Sequence, residues 1–297
     1  MRCDSILVMK QNLRFSIFFT AALFCAAGLF SEGYYFQGKN YSTPKRIVSL
    51  GPAATEILFA LGAGNQIVSR TDFCNYPPEA EKIPSIGGFD GKTVNIENII
   101  SQKPDFIYLF RVIHTHLEAP LKKYGISYYM SDATTTEDVI KEILTIGEIT
   151  GHKSEAEKIT ADIQEVFQNI AQKMSLNATK PKSVYWEIWQ SPFMTIGQNS
   201  FINSIIETAG AVNIFGDSPQ SYPIVNEETI IKRNPDVIFI PSDSPLTPEK
   251  LCERKGWQNI TAVKNKTVYK IDADITGRSG PRIKEAVQIV YSMVYGN

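Results

Sequence analysis

Two histidines, His114 and His116, follow Arg111 closely in the sequence, and these side chains are candidates for metal or anion chemistry. Neutral imidazole ligates transition metals, including a metal already held in a macrocyclic chelate. A catalytic metal centre normally needs three protein ligands, and the third histidine, His152, is distant in the sequence. We therefore predict no metal centre. Two roles stay open for His114: a solvated loop histidine, or a single axial ligand to a bound chelate.

Catalytic motifs of defined spacing are missing from the sequence. It contains no G-x-S-x-G elbow, no H-E-x-x-H pair, no P-loop and no G-x-G-x-x-G after a strand. We therefore predict no catalytic residues and no enzyme, and keep an exported hydrolase as a distant alternative. The formal net charge of −1, with no basic run, also argues against nucleic acid as a partner.

A duplicated acidic residue lies within an internal repeat. Residues 94–107 resemble residues 225–238 at a constant offset of 131, and Glu97 and Glu228 hold the same place in the two copies, after Asn95 and Asn226. A carboxylate in the first turn of a helix stabilises it by roughly 0.3–1 kcal/mol. That role suffices for either residue alone. Identical placement in both copies favours a symmetric docking surface instead.

The elements around these residues predict an α/β fold of two similar lobes. Each repeat copy reads as a short helix, a Pro-Asp break and an apolar strand, and such strands alternate with helices along the chain. We predict an N-terminal lobe at 44–150, a single long helix at 151–178 and a C-terminal lobe at 179–297. The parallel sheets would be covered by helices, with a ligand cleft between the lobes at the strand ends. A helical connector predicts small closure movements.

The N-terminus reads as an export signal. Lys10 and Arg14 precede an uncharged run at 15–30 that ends in small residues, so we predict a signal peptide at 1–31 and a linker at 32–43. The run is shorter than the ~20 residues of a membrane-spanning helix, which is the alternative. Cys25 could carry a lipid anchor, although Phe24 departs from the usual small residue before it. Translation could start at Met1 or Met9.

Two cysteines, Cys74 and Cys252, remain beyond this signal. Export permits a disulfide between them. They fall in different predicted lobes, where a bridge would lock the cleft, so we expect two free thiols.

Blocks of sequence spread over about 44–295 resemble one known family. They are Arg46-Ile47-Val48-Ser49-Leu50 with Thr55-Glu56, Asn75-Tyr76-Pro77-Pro78 with Lys82-Ile83, the segment 91–105 with Lys103-Pro104-Asp105, Asn213-Ile214-Phe215, and Arg278 with Pro281-Arg282-Ile283. In order and spacing they resemble the helix-linked periplasmic binding proteins of ABC importers for cobalamin, siderophores and haem, and most of all the branch that binds vitamin B12.

The resemblance implies a ring-lined cleft. The family's cobalamin-contacting aromatics match Phe73, Phe89, Phe110 and Tyr222, and Trp186 could add stacking area, as could Trp189 with Phe193. Flat rings suit the apolar face of a corrin or porphyrin. Asp274 and Arg278 match a segment that approaches the ligand, as a charged pair able to bond amide side chains. Arg111 could meet a propionate, an amide or solvent.

The resemblance also implies the partners. Glu97 and Glu228 match the acids that form salt bridges with arginines of the membrane permease, which works with ATPase subunits. We expect a periplasmic monomer, with no intrinsic cofactor, that captures cobalamin. Haem or a ferric siderophore is the alternative ligand, since Arg111, Tyr222 and His114 could supply a propionate clamp and an axial ligand.

Overall fold

Parallel strands and the helices between them build the part of the chain that the computed structural model describes, residues 34–35, 42–88, 93–177 and 180–296. The strands are β1 (Tyr34–Tyr35), β2 (Ile47–Ser49), β3 (Ile67–Arg70), β4 (Phe106–Phe110), β5 (Ser127–Ser131), β6 (Ser183–Trp186), β7 (Trp189–Gln190), β8 (Phe193–Met194), β9 (Val212–Asn213), β10 (Val237–Pro241) and β11 (Val268–Ile271). The helices are α1 (Pro52–Ala60), α2 (Ile96–Ser101), α3 (Arg111–His114), α4 (Glu118–Tyr124), α5 (Thr136–Thr150), α6 (Lys153–Asn177), α7 (Phe201–Thr208), α8 (Glu227–Arg233), α9 (Pro248–Cys252), α10 (Thr261–Lys264), α11 (Ala273–Gly277) and α12 (Ile283–Tyr295). The predicted signal at 1–31 lies outside the described residues.

The N-terminal sheet has the order β1-β5-β4-β2-β3, and β2 to β5 are parallel. Strand β1 pairs antiparallel with β5 and extends the sheet by one edge strand. The segment predicted as a linker, 32–43, thus includes this short strand, and its bounds stay a prediction. Two residues are too short a strand for its alternating pattern to be visible in the sequence.

The C-terminal sheet has the order β11-β10-β6-β9 and is parallel throughout. Taken in chain order, its strands follow the same path as β2 to β5, so the two sheets share one topology. The C-terminal half adds the antiparallel hairpin β7-β8 directly after its first strand. The prediction of an α/β fold with mainly parallel sheets is confirmed.

The two copies of the repeat form the same corner in both sheets. Asn95 and Asn226 cap α2 and α8, and each side-chain oxygen accepts a hydrogen bond at 2.8 Å from the backbone N–H three residues on. Lys103 and Asn234 both have a positive φ, near 50°. In both copies this left-handed residue follows the short helix and precedes the Pro-Asp pair. Asn adopts the conformation more readily than Lys does.

The aspartate of each Pro-Asp pair fixes a neighbouring strand. Asp105 accepts hydrogen bonds from the backbone N–H groups of Lys45 and Arg46, just before β2. Asp236 accepts from the backbone N–H and the hydroxyl of Ser183, at the start of β6. The repeat in the sequence is thus a repeat in strand pairing.

Helix α6 spans 25 residues and lies between the two sheets in the chain, where one long helix was predicted at 151–178. It packs against α5 and α12, and its buried face includes Ala156, Ile163 and Ile170. Residues Glu32–Asn297 form one compact unit, so the lobe boundaries at 44–150 and 179–297 stay predictions.

Candidate functional site

The carboxyl end of β4 places an aromatic and an arginine side by side. Phe110 is the last residue of the strand, is half-buried and stacks against Tyr108 with ring centroids 6.1 Å apart. Arg111 follows at once, and its Nε donates a 3.0 Å hydrogen bond to Asp132, which follows β5. Ligands of parallel α/β sheets bind beyond these strand ends.

His114 lies in a different setting from either predicted role. It is fully buried, and its Nδ1 accepts a hydrogen bond from the backbone N–H of Phe110 at 3.2 Å. The prediction of a solvated loop histidine is wrong, because the turn of α3 folds the ring back onto β4. The role of His114 as an axial ligand to a bound chelate stays a prediction. His116 is exposed.

The loop after β3 carries Phe73 to the junction between the two halves. The ring of Phe73 is 61% exposed. Two residues on, the Asn75 side-chain oxygen accepts a 2.9 Å hydrogen bond from Arg278, and the Asn75 amide approaches Asp274 at 3.5 Å. Arg278 and Asp274 are ion-paired at 2.7 Å. Three predicted site residues, Phe73, Asp274 and Arg278, therefore lie around Asn75.

A buried carboxylate ties the two halves together beneath that loop. Glu56 on α1 is 2% exposed and accepts hydrogen bonds from Arg278 at 2.8 Å and from Arg282 at 2.6 and 2.7 Å. The Arg282 guanidinium also lies 4.2 Å from the ring centroid of Tyr76. The sequence had suggested that Arg278 bonds a ligand. Much of its hydrogen-bond donor capacity is instead used within the protein.

Sequence reasoning missed this cluster, although a signal was present. Glu56 stands among apolar residues of α1, where a buried acid requires basic partners. Its partners lie more than 220 residues away in the chain, so the sequence could point to the need for a partner without identifying it.

The tryptophans after β5 divide between core and surface. Trp186, predicted to line the cleft, is 1% exposed and packs against Phe239 with ring centroids 5.1 Å apart. Its ring therefore belongs to the core of the C-terminal sheet in this structure, and a role in binding the ligand stays a prediction. Trp189, three residues later on β7, is 57% exposed, and its indole N–H donates to the Ser191 carbonyl at 3.0 Å.

The hairpin β7-β8 offers a continuous apolar face. Trp189 pairs with Met194 across the hairpin, and Met194 pairs with Ile224 in an antiparallel bridge on its other side. Residues directly opposite each other share one face of a sheet, so Trp189, Met194 and Ile224 share this face, and Tyr222 is exposed two residues before Ile224. Trp189, Ile224 and Tyr222 are 57%, 64% and 50% exposed, so these side chains form an open apolar surface, which we call the hairpin face.

The opposite face of the hairpin packs against the rest of the C-terminal half. Phe193 packs against Trp257, and the Arg254 guanidinium lies 5.1 Å from the Phe193 ring. Arg254 also makes a bidentate pair with Glu187, which follows β6, at 2.6 and 2.7 Å. With one face packed, the side chains of the hairpin face are presented outward on a fixed backbone.

Another buried carboxylate, Glu142 of α5, is hydrogen-bonded to residues of β4 and β5. It accepts hydrogen bonds from the Tyr108 hydroxyl and, at 2.8 Å, from the Ser131 hydroxyl. Burial raises the pKa of Glu142 to about 7, against the two hydrogen bonds, which lower it. A carboxyl that holds its proton near neutral pH is therefore part of the scaffold below Arg111.

The remaining predicted residues have mixed outcomes. Phe89 lies outside the described residues. Glu97 and Glu228 are both exposed at the second position of α2 and α8, as the repeat predicted, while nothing in the structure tests their docking role. Cys74 and Cys252 are free thiols, which confirms that expectation.

Among the described residues, no group of three potential ligands could hold a metal ion. In the same part of the chain, no helix is both long and apolar enough to cross a bilayer.

The chain is similar to a known protein family over most of its length. The profile of the periplasmic binding protein family matches residues 47–275. The uncharacterized ABC transporter substrate-binding lipoprotein YvrC of Bacillus subtilis is 33% identical over 258 residues, covering 85% of this chain and 80% of YvrC. The vitamin B12-binding protein of Photorhabdus laumondii is 29% identical, covering 84% of this chain and 87% of that protein.

Solved structures agree on the fold. The periplasmic vitamin B12-binding protein BtuF of Vibrio cholerae superposes with a TM-score of 0.73 at 26% identity, covering 84% of this chain and 96% of BtuF. Solved periplasmic haem-binding proteins have the same fold at 20–23% identity, which speaks for the fold alone.

Proposed function

Because the chain belongs to the periplasmic binding protein family, we propose that it captures a corrinoid outside the cytoplasm and delivers it to the permease of an ABC importer. It is a substrate-binding protein of the ABC import type. The relatives that bind vitamin B12 cover most of the chain and support the corrinoid as its ligand.

The observation that carries the ligand proposal is the hairpin face. A corrin ring has broad apolar sides, and burial of apolar surface contributes about 25 cal/mol per Å². Aromatic side chains supply such area at a low entropic cost, because few of their torsions have to be fixed. Trp189 and Tyr222 on the C-terminal half, with Phe73 and Phe110 on the N-terminal half, would pack against the ligand from two sides.

Delivery would use the paired acids. Glu97 and Glu228 are exposed in the first turns of α2 and α8, and both helices have an Asn cap of the same geometry. The two halves of the protein therefore present a carboxylate in the same local position. We propose that each forms a salt bridge with an arginine of the permease. Export stays part of this proposal, either with removal of the signal at 1–31 or, as an alternative supported by the lipoprotein YvrC, with cleavage before Cys25 and a lipid on that residue.

A binding measurement on ring variants tests the site. Equilibrium dialysis of residues 32–297 with cyanocobalamin should give one saturable site, and Trp189→Ala should weaken it by about 10-fold or more, since burying such a ring is worth roughly 1.5–3 kcal/mol. Tyr124→Ala is the matched control. Tyr124 is 57% exposed and precedes β5, at the opposite end of the sheet from the proposed site. Equal affinity in both variants would exclude the hairpin face as the binding surface.

Haem is the second candidate, on one observation. Tyr222 is half-exposed on the hairpin face, and a tyrosine oxygen can ligate haem iron. Partial burial raises the pKa of the Tyr222 hydroxyl, which favours its neutral form over the phenolate. A Soret band that shifts on addition of haemin and reverts in Tyr222→Phe would establish this role.

A further inference from the structure

Four arginines near the carboxyl ends of the strands are paired with four carboxylates. Arg111 pairs with Asp132 after β4 and β5, at 3.0 Å. Arg254 pairs with Glu187 after β6, at 2.6 Å. The remaining two arginines, Arg278 and Arg282, share Glu56 and Asp274, which make contacts of 2.6 to 2.8 Å with them.

The formal charges in this set cancel. Four guanidiniums face four carboxylates, and each guanidinium has at least one carboxylate oxygen within 3.0 Å. An anionic group that approached one of these arginines would meet the field of the neighbouring carboxylate as well. Its attraction to the arginine would therefore be largely cancelled.

A fifth arginine, Arg70, ends β3 and serves the backbone. Its guanidinium donates to the carbonyl oxygens of Thr71 and Ala80 at 2.8 Å and of Glu81 at 3.2 Å. These bonds hold the loop that carries Phe73. The donors of Arg70 are thus turned into the loop rather than toward a ligand.

Two of the four carboxylates are accessible from outside. The side chains of Asp132 and Asp274 are 56% and 52% exposed, whereas Glu56 and Glu187 are 1–2% exposed. The buried acids have structural roles in joining elements. The exposed acids neutralise Arg111 and Arg278, whose side chains are 38% and 12% exposed, where a ligand's polar edge would lie.

We propose that Asp132 and Asp274 are specificity-determining residues that keep ligands with free carboxylates out of the cleft by masking Arg111 and Arg278. This inference rests on the proposed function and narrows it. The ligand class is an apolar macrocycle whose polar edge consists of neutral groups such as carboxamides, which accept hydrogen bonds without needing an uncompensated cation. Porphyrins with free propionates and anionic siderophores belong to the excluded class.

A pair of corrins that share one ring tests the inference directly. Dicyanocobinamide carries carboxamides around its edge, and dicyanocobyrinic acid carries carboxylates in their place. We expect the wild-type chain to bind cobinamide at least about 30-fold more tightly. Asp132→Asn should unmask Arg111 and lower that preference by about 10-fold, through tighter binding of cobyrinic acid. Asp274→Asn should act in the same direction. Because a gain of affinity is expected, a misfolded variant cannot imitate the result.

Asp217→Asn is the matched control. Asp217 pairs with Arg233 at 2.7 Å, with side-chain exposures of 32% and 66% for arginine and acid that resemble the 38% and 56% of the Arg111–Asp132 pair. The pair lies beside β9 and α8, away from the paired strand ends, so the variant should leave the preference unchanged.

The outcomes separate the inference from the function on which it rests. Equal binding of the two corrins by the wild-type chain would overturn the inference and leave the corrinoid function intact. An unchanged preference in both Asp132→Asn and Asp274→Asn would overturn it as well. If neither corrin bound, the proposed function itself would fall, and the inference with it.

Discussion

Equivalent layers of the two sheets are packed with different chemistry. In the N-terminal sheet, Ser49, Tyr108 and Tyr129 lie in register across β2, β4 and β5. The corresponding residues of the C-terminal sheet are Trp186, Phe239 and Tyr269, across β6, β10 and β11. One topology thus contains a polar layer in one copy and an aromatic layer in the other.

The polar layer depends on hydrogen bonds, and the aromatic layer depends on volume. Ser49 contacts the Thr55 hydroxyl at 2.8 Å, and Tyr108 donates to the buried Glu142. Trp186 instead fills space against Phe239. The difference predicts that pH acts on the N-terminal layer, while loss of side-chain volume acts most strongly on the C-terminal one. Four changes, ordered by expected effect on stability, test this contrast.

Truncating the aromatic layer should have the largest effect. Trp186→Ala is expected to lower the free energy of unfolding by roughly 3–5 kcal/mol, because it leaves a cavity in a closed core. Urea denaturation measures this. Trp189→Ala, three residues away on the exposed face, should change stability by less than about 0.5 kcal/mol. Similar losses in the two variants would mean that the division into core and surface rings is incorrect.

Titration of the polar layer should follow. The pKa of Glu142 is raised from 4.5 to about 7, so between these values the folded chain holds a proton that the unfolded chain has lost. Stability should therefore fall as the pH rises through this window, by about 3 kcal/mol in total, and level off above it. Denaturation of the wild-type chain and of Glu142→Gln at pH 4.5, 5.5, 6.5 and 7.5 measures the difference. Parallel pH profiles would show that Glu142 titrates normally.

The repeated caps should give a matched pair of smaller losses. Asn95→Ala and Asn226→Ala each remove one side-chain bond to a helix N–H and should cost about 1 kcal/mol. The two values should agree within about 0.5 kcal/mol, because the cap geometries are the same. A large inequality in the thermal denaturation of the two variants would break the equivalence of the two copies.

The paired acids should matter least to folding and most to delivery. Glu97→Gln and Glu228→Gln are exposed changes, each expected to alter stability by less than about 0.5 kcal/mol. Corrinoid uptake by cells that express the double variant in place of the wild-type chain should nevertheless drop strongly, with unchanged affinity in dialysis. Normal uptake would argue against docking through these acids.

The repeat made the fold and the docking candidates readable from the sequence. The 131-residue offset shows that one pattern occurs twice. Within each copy, the Asn cap and the Pro-Asp break are local signals for where a short helix begins and ends. Each Pro-Asp pair is followed by an apolar strand as predicted, β4 and β10, and α6 begins and ends within two residues of its predicted bounds.

The choice between Trp186 and Trp189, and the burial of His114, could not be predicted in this way. Which of the two rings points inward depends on where β6 ends and β7 begins. A shift of these ends by a few residues would not change the hydrophobic pattern of the sequence. The Glu56 cluster joins residues from opposite ends of the chain, and no local pattern gives their distance.

Binding of a corrinoid by this substrate-binding protein can be measured by calorimetric titration of residues 32–297 with cyanocobalamin, with haemin titrated in parallel. We expect saturable heat with one cyanocobalamin per chain and no saturable site for haemin. Saturable haemin binding with a shifted Soret band, and no heat with cyanocobalamin, would contradict it.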